Sequence, residues 1–286
     1  MKRSTILDKQ SVDTLAIGSF DGIHMGHRQL IRRLGEHGAL FVIDKDQVNL
    51  TPGVKRSLYA GYPCMFYHFL KVKHLSGEEF VALLLKEFPN LKKIVVGYDF
   101  CFGHNRSCSA HDLKNLFLGD VEVVEAFSYE GIAVHSSKIR QYIKEGQIEE
   151  ANRFLGREYS ITGTIIKGQG IGKEKLVPTL NLNSPEYLLP KEGVYTTRTK
   201  IAHTFYDSVS FIGHRASTDG IFAIETHIIG EIFEEPIEKV ELFFVDFIRE
   251  NRHFEGLNLL KEQIERDILI AKKRLELCHL YWVDFL

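Results

Sequence analysis

The pattern of the sequence changes near Gly156, and this change most constrains how the chain can fold. Before it, short apolar segments alternate with stretches of helical period, as in DTLAIGSF, HRQLIRRLGEHG and ALFVID. This alternation predicts a mostly parallel sheet with helices on its faces. After it, TGTIIKG, GVYTTRTKIA, YDSVSFIG, FAIETHII and KVELFFVDFI are separated by Gly, Pro and Asp turns, with no helical pattern between them. These segments predict an antiparallel sheet or barrel.

Further segments complete the two halves. SGEEFVALLLKEF carries Ser76 and Glu79 at the spacing of a capping box and predicts a helix. LKKIVVGYDF and VEVVEAF predict strands, and AHDLKNLF, SSKIRQYIKEG and IEEANRFLGR predict helices. The amphipathic GLNLLKEQIERDILIAKKRLEL near the end of the chain predicts a long helix. We expect two domains, residues 1–156 and 157–286.

Composition excludes several classes of protein. The formal net charge of -2 gives no global basic field, so we expect no nucleic-acid partner. The four cysteines form no CxxC pair, which favours reduced thiols over a disulfide framework or a structural zinc. The basic N-terminus lacks the apolar core of a signal peptide, and no apolar run approaches the ~20 residues of a membrane span. The sequence therefore predicts a soluble, cytoplasmic protein without a membrane partner.

The segment GSFDGIHMGH (18–27) joins the first predicted strand to the first predicted helix. Ligands of α/β sheets bind at the carboxyl ends of strands, and a helix N-terminus favours phosphate. Gly26 would allow a nucleotide close to the backbone, and His24 and His27, one turn apart, can donate to phosphate oxygens. Such a site suits nucleotidyl transfer, which needs positioning and charge stabilisation. A zinc pair and two solvated histidines are the alternatives; zinc is disfavoured because no finger-like His or Cys cluster accompanies the pair.

The same segment resembles the GxFDGxHxGH signature of bacterial bifunctional riboflavin kinase/FMN adenylyltransferases. VGYDFCFGHNR (96–106) resembles the family's VGxDFxFGxxR, and HSSKIR (135–140) resembles its SSTxIR, with His135 replacing the first serine. In the second half, VPTLNL (177–182), LPKEGVY (189–195) and IETHII (224–229) resemble motifs of its kinase module. The resemblance implies an α/β nucleotidyltransferase (Rossmann-like, HxGH) domain followed by an antiparallel β-barrel riboflavin kinase domain with a C-terminal helix.

The resemblance also implies the chemistry: ATP phosphorylates riboflavin to FMN, and a second ATP adenylylates FMN to FAD with release of pyrophosphate. ATP is then the co-substrate, Mg²⁺ the cofactor, and FMN and FAD the products or ligands. Glu225 is the expected general base of the kinase, His24 and His27 the catalytic residues of the transferase, and Arg249 a flavin contact. Thr179 and Asn181, two apart on an extended segment, suit Mg²⁺. The expected nucleotide and phosphate ligands are Gly18, Phe20, Asp21, Gly22, Gly26, Asp99, Ser136, Ser137, Lys138, Arg140, Gly168, Gly170, Gly172 and Lys173.

Several departures from the family pattern leave alternatives open. Leu176-Val177 stand for Gly-Phe before Pro-Thr, GHRAS (213–217) stands for GxxPT, and FVIDKDQ stands where the family has FxPHP. The alternatives are a single-activity enzyme with one degraded site, another HxGH adenylyltransferase, and a flavin- or nucleotide-binding regulator without turnover. KGQGIGK is not a P-loop, because Glu174 stands where Ser or Thr is required.

Overall fold

A computed structural model describes residues 7–45, 49–168, 176–233 and 236–281. The chain splits into two compact units, Met1–Ser136 and Ser137–Leu286. The split precedes Gly156 because the helices between residues 136 and 155 belong with the second unit. The side chain of Asn152, for example, donates to the carbonyl oxygen of Phe244 (2.9 Å) and accepts from the backbone N–H of Tyr159 (2.6 Å). The functional boundary after residue 156 stays a prediction.

The first unit is built on a five-stranded sheet of order β3-β2-β1-β4-β7, in which every pair is parallel. Its strands are β1 (Thr14–Gly18), β2 (Gly38–Asp44), β3 (Cys64–His68), β4 (Lys93–Gly97) and β7 (Asp120–Val124). Two short hairpins pair β5 (Cys101–Phe102) with β6 (Cys108–Ser109) and β8 (Ser128–Tyr129) with β9 (Ile132–Ala133). The parallel sheet predicted from the strand–helix alternation is confirmed.

Short helices cover this sheet: α1 (Met25–Ile31), α2 (Lys55–Ala60), α3 (Phe69–Val72), α4 (Gly77–Glu87) and α5 (Ala110–Leu116), with a 3-10 turn at His104–Arg106. The predicted capping box begins α4, where Ser76 and Glu79 bond each other's backbone N–H. Along β1, Leu15 and Ile17 join one buried apolar cluster and Ala16 joins another. The central strands are thus buried on both faces, which explains why they are apolar throughout rather than alternating.

The second unit is a closed antiparallel barrel of strand order β10-β11-β14-β13-β12-β15. The strands are β10 (Tyr159–Ile166), β11 (Leu180–Asn183), β12 (Gly193–Ile201), β13 (Thr204–His214), β14 (Phe222–Ile228) and β15 (Lys239–Glu250). Helices α6 (Ser136–Glu145) and α7 (Ile148–Leu155) precede it, and the long α8 (Leu257–Tyr281) follows it. Ala271 of α8 packs on Val194 and Val209 of the barrel wall. The predicted barrel and C-terminal helix are confirmed.

Five hydroxyl groups with no solvent exposure form a closed hydrogen-bonded ring inside the barrel. The members of this hydroxyl ring are Thr197, Thr199, Ser208, Ser210 and Thr226. Each hydroxyl contacts two others at 2.8 to 3.3 Å, so the ring connects β12, β13 and β14. Because every member has partners, these polar groups are buried without an unsatisfied donor or acceptor among them.

Among the residues that the structure describes, no helix is both long and apolar enough to cross a membrane.

Candidate active sites

The backbone of the GSFDGIHMGH segment is strained where it leaves β1. Phe20 (φ 50°) and Ile23 (φ 40°) adopt positive φ angles although neither is glycine, and both side chains are fully buried. A positive φ is rare for a β-branched residue and persists only where surrounding packing enforces it. Gly22 lies between them at φ 92°. The segment therefore adopts a backbone conformation of high energy, and residues with such conformations are common at binding and catalytic sites.

His24 and His27 form one compact unit at the start of α1. His24 is the N-cap, and its Nδ1 accepts the backbone N–H of His27 at 3.2 Å. Because Nδ1 accepts, the neutral ring carries its proton on Nε2, which is then a hydrogen-bond donor. The two rings stack with centroids 3.6 Å apart. A Cβ at Gly26 would come within 3.2 Å of the His24 ring and of the Val134 carbonyl, so glycine lets this pair pack closely.

The two histidines line a cavity of about 400 Å³, here called the strand-end cavity. The carboxyl ends of β1, β4 and β7 contribute to it, which is where parallel sheets bind ligands. Of the residues expected from the sequence, the structure places these in its lining: Gly18, Phe20, His24, Gly26, His27, Asp99 and Ser136. Asp21 and Gly22 are not in the lining, and Ser137, Lys138 and Arg140 belong to the second unit.

Asp21 instead fixes the backbone around the motif. Its Oδ1 accepts the backbone N–H groups of Leu50 (2.9 Å) and Thr51 (3.0 Å) and lies 3.8 Å from Nη2 of the buried Arg56. Its backbone carbonyl accepts the hydroxyl of Ser136 at 2.8 Å. These contacts tie the strained loop to residues 50–51 and to Ser136 of the same unit. Its role as a nucleotide ligand stays a prediction.

Two basic residues that were not predicted as ligands from the sequence line the strand-end cavity. Arg106 closes the motif VGYDFCFGHNR, and it and Asn105 have positive φ angles of 60° and 54°. The motif was a signal for Arg106, because it ends on an arginine. Lys45 follows β2, and nothing in the sequence marked it. Both cations suit a polyphosphate.

On α6, the ammonium group of Lys138 lies 4.8 Å from the centre of the Tyr142 ring and 3.3 Å from Oε1 of Gln141. Ser137 is exposed, and Arg140 is partly buried. Their predicted roles as phosphate ligands stay predictions.

The barrel unit contains a second cavity of about 450 Å³, here called the barrel cavity. Strand residues Val194, Val209 and Phe211 and the α8 residues Ile264 and Ile268 supply apolar walls. The residues expected from the sequence that line it are Gly168, Thr179, Asn181, Glu225 and Arg249. Gly170, Gly172 and Lys173 lie outside the described residues. An apolar slot with a few convergent polar groups suits a flat aromatic ligand with a polar tail.

Glu225 lies on β14, which is hydrogen-bonded to β11 on one side and to β13 on the other. It pairs with Asn181 of β11 on one side and with Phe211 of β13 on the other. Burial raises the pKa of the Glu225 carboxyl above its usual range, and Arg215, whose Nη1 is 3.3 Å from Oε1, acts in the opposite direction. A carboxylate that is partly desolvated but still ionisable has the properties of a general base.

The extended segment at Thr179 and Asn181 is held against β14. Nδ1 of His227 lies 2.8 Å from the Pro178 carbonyl, which can only accept, so the imidazole donates to it. A Cβ on Gly168 would overlap the Asn181 amide, so glycine is required for this approach. The side-chain oxygens of Thr179 and Asn181 are hard donors of the kind that Mg²⁺ accepts alongside water and phosphate. The described residues contain no cluster of three or more His, Cys, Asp or Glu suited to a metal.

Arg249 lines the barrel cavity but is already paired. Its guanidinium contacts both carboxylate oxygens of Asp267, at 2.8 to 3.0 Å, and Asp267 on α8 is only 2% exposed. Sequence analysis did not identify this partner, since a carboxylate eighteen residues away carries no local signal. The expected contact between Arg249 and flavin stays a prediction.

The fold defines a class of two-unit protein: a parallel α/β sheet with a cavity at its strand ends, followed by a closed β-barrel with a cavity between its wall and the C-terminal helix. Comparison with protein families agrees with this division. The FAD synthetase family matches residues 62–138, and the riboflavin kinase family matches residues 155–275. The first match begins after the histidine pair, so the role of that pair rests on geometry and on the sequence motif.

Three similar proteins are all named bifunctional riboflavin kinase/FMN adenylyltransferase. The protein of Buchnera aphidicola (subsp. Schizaphis graminum) is 29% identical over 92% of this chain and 94% of its own length. That of Listeria monocytogenes is 28% identical over 88% of this chain and 89% of its own. That of Escherichia coli K12 is 27% identical over 91% of both chains. The chain belongs to the family of bifunctional riboflavin kinase/FMN adenylyltransferases, enzymes of flavin cofactor biosynthesis.

A crystal structure described as a macrolide-efflux protein from Streptococcus pneumoniae shares this fold. Its TM-score is 0.82 at 25% identity, over 94% of this chain and 99% of that one.

Proposed function

We propose that FMN adenylylation takes place in the strand-end cavity and riboflavin phosphorylation in the barrel cavity. The observation that carries the second assignment is the shared lining of one cavity by Glu225, Thr179, Asn181 and Gly168. Glu225 is more than forty residues from Thr179 and Asn181, and the fold brings together a candidate base and oxygen donors that phosphoryl transfer to a hydroxyl requires.

In the barrel cavity, the isoalloxazine ring of riboflavin would lie between the apolar barrel wall and α8. The ribityl chain would then reach Glu225, whose carboxylate takes the proton of the attacking hydroxyl as the oxygen bonds to the γ-phosphorus of ATP. The bond from that phosphorus to the bridging oxygen breaks, and ADP leaves. Positioning of the two reactants is the main contribution of the protein in such a loose transition state.

Thr179 and Asn181 are the residues that would hold Mg²⁺ in this site. The ion, when bound, would neutralise phosphate charge. The two side chains themselves fix the edge of the phosphate site, because His227 anchors the segment that carries them.

In the strand-end cavity, a phosphate oxygen of FMN would attack the α-phosphorus of ATP, and pyrophosphate would leave. No proton transfer is needed, so the residues act by positioning and by stabilising negative charge. Nε2–H of His24, His27 and the α1 N-terminus would face the reacting phosphates, while Lys45 and Arg106 would bind the remaining charge. The packing that enforces the strained backbone of residues 20–23 would hold the histidine pair in a fixed position.

Three coarser expectations complete the proposal. Residues 1–156 and 157–286 would be the functional domains, the substrates would be the small molecules riboflavin, FMN and ATP, and the enzyme would act in the cytoplasm. The near-neutral net charge of -2 supports small-molecule substrates over nucleic acid.

The test is chromatographic separation of flavins after incubation of the protein with Mg-ATP and either riboflavin or FMN. We expect FMN and then FAD from riboflavin, and FAD directly from FMN. Accumulation of FMN without FAD would contradict transferase activity in the strand-end cavity. Formation of FAD only from added FMN would contradict kinase activity in the barrel cavity.

A further inference from the structure

A third cavity adjoins the barrel cavity, and Arg215 lies in the wall between them. This flanking cavity has a volume of about 510 Å³ and is lined by the loop residues Asp219, Ile221 and Phe222, among others. The two cavities share a short set of lining residues: Lys167, Gly168, Asn181 and Arg215. Arg215 is the member of this set whose side chain bonds the carboxylate of the candidate base, Glu225.

The position of Arg215 is fixed at both ends. Its backbone N–H donates to the carbonyl of Ile221 (3.0 Å), and its own carbonyl accepts the N–H of Gly220 (3.1 Å), which closes a tight turn. Its guanidinium forms a two-pronged ion pair with Asp219, from Nε at 3.0 Å and from Nη2 at 2.8 Å. Two-pronged pairs of this kind fix the plane of the guanidinium as well as its position.

The remaining terminal nitrogen of Arg215 contacts Glu225. Nη1 lies 3.3 Å from Oε1, and the Arg215 side chain is only 14% exposed. Since Arg215 bridges two carboxylates, one oxygen of Glu225 is held while the other is left to receive a proton. An unheld carboxylate on a half-buried strand can rotate through several orientations, and misplacement of a base by about 1 Å is worth ~10²-fold in rate.

We propose that Arg215 is the positioning residue of the kinase: fixed by Asp219, it holds the Glu225 carboxylate in the orientation that accepts the proton of the attacking hydroxyl. This inference rests on the proposed function of the barrel cavity. It assigns a function to Arg215, which stands at an unspecified position of the family's GxxPT pattern within the segment GHRAS. A purely structural ion pair would only stabilise the turn at residues 215–221.

The experiment measures kcat and KM for FMN formation in Arg215→Ala and Arg215→Lys. Positioning predicts that Arg215→Ala lowers kcat by ~10²-fold, with both KM values changed less than about threefold. Lysine keeps the charge and one donor, so Arg215→Lys is expected to recover part of kcat. Arg266→Ala is the matched control, because its side chain is 67% exposed on α8 and is not part of the lining of either cavity. The circular dichroism spectrum of each variant shows whether the barrel has folded, and conversion of FMN to FAD shows that the first unit is intact.

A second comparison separates action through Glu225 from direct contact with the phosphoryl group. If Arg215 acts through Glu225, the losses overlap, and Glu225→Asp/Arg215→Ala is no slower than the slower single variant. The proposal would be overturned if the kcat losses of the two single variants multiplied in the double variant. It would also be overturned if Arg215→Ala raised KM at constant kcat, or if its kcat and KM equalled those of the wild type. Wild-type protein that makes no FMN from riboflavin would instead refute the proposed function itself, so the two failures are distinguishable.

Discussion

Removal of the Asp21 carboxylate tests whether the strained loop depends on it. In Asp21→Ala, the buried backbone N–H groups of Leu50 and Thr51 lose the acceptor they share, and Arg56 loses a nearby negative charge. Hydrogen bonds to a charged partner contribute about 1.5–3 kcal/mol each. Two of them give an expected loss of about 3–6 kcal/mol in the free energy of unfolding of the first unit.

Asp21→Asn separates geometry from charge. Both N–H groups bond the same oxygen, Oδ1, and the asparagine side chain retains one such acceptor. A neutral acceptor is roughly half as strong as a charged one, so we expect a loss of only about 1.5–3 kcal/mol. Asp120→Ala is the control in the same unit, since that carboxylate is 68% exposed, and it should stay within about 0.5 kcal/mol of wild type.

The assay is hydrogen exchange followed by mass spectrometry of peptides. Amides in β1 and β2 should lose protection in the order Ala, Asn, wild type, while barrel strands such as β12 and β13 keep theirs. FMN adenylylation should fall in the Ala variant in parallel. Equal loss of protection in the Ala and Asn variants would refute the argument from shared hydrogen bonds. A higher KM for ATP in the Asn variant with full protection would show that Asp21 binds nucleotide instead.

Four further outcomes follow from the two cavities and one partly buried thiol. Glu225→Gln should lower kcat for FMN formation by ~10²–10⁴-fold while FMN is still converted to FAD, as flavin chromatography would measure; equal loss of both reactions would refute separate sites. His24→Ala should do the reverse, with a loss of ~10²–10³-fold in FAD formation, and an impaired kinase would contradict this assignment. Gly168→Ala should displace the Asn181 amide and raise the KM for Mg-ATP in FMN formation; an unchanged KM would place the nucleotide elsewhere. Burial raises the pKa of the Cys64 thiol to about 11, so its alkylation by iodoacetamide should keep accelerating up to that pH, and a plateau near pH ~8.5 in peptide mass spectrometry would contradict this.

The sequence predicted elements whose stability is local. Each of these elements has a pattern that is visible within one continuous segment of sequence: the capping box at Ser76, the apolar strands β1, β2 and β4, and the amphipathic α8. The barrel strands were recognisable because turns of Gly, Pro and Asp separate them. The strand β3 (Cys64–His68) was missed, because CMFYH is short and only partly buried at the sheet edge.

Side-chain partners set by the tertiary fold were beyond sequence reasoning. Arg56 is only 1% exposed, although a charged residue is expected at the surface. Its guanidinium is stabilised by Asp44 at 3.0 Å and by the Asn49 side chain at 2.7 Å. The pairing of Arg249 with Asp267 is equally non-local. Motifs therefore located the two cavities, while the partners that hold their side chains became visible only in the folded chain.

The hydroxyl ring has a consequence for how the barrel assembles. Thr226, a member of the ring, stands between Glu225 and His227 on β14. Neighbouring residues of a strand face opposite ways, so a slip of one residue would push the Glu225 carboxylate into the barrel interior and turn a hydroxyl outward. The interior offers no cation within the ring, and an unpaired buried charge costs several kcal/mol. The hydroxyl ring therefore disfavours mispaired barrels, and the register that places Glu225 beside Asn181 is set by the folding of the chain alone.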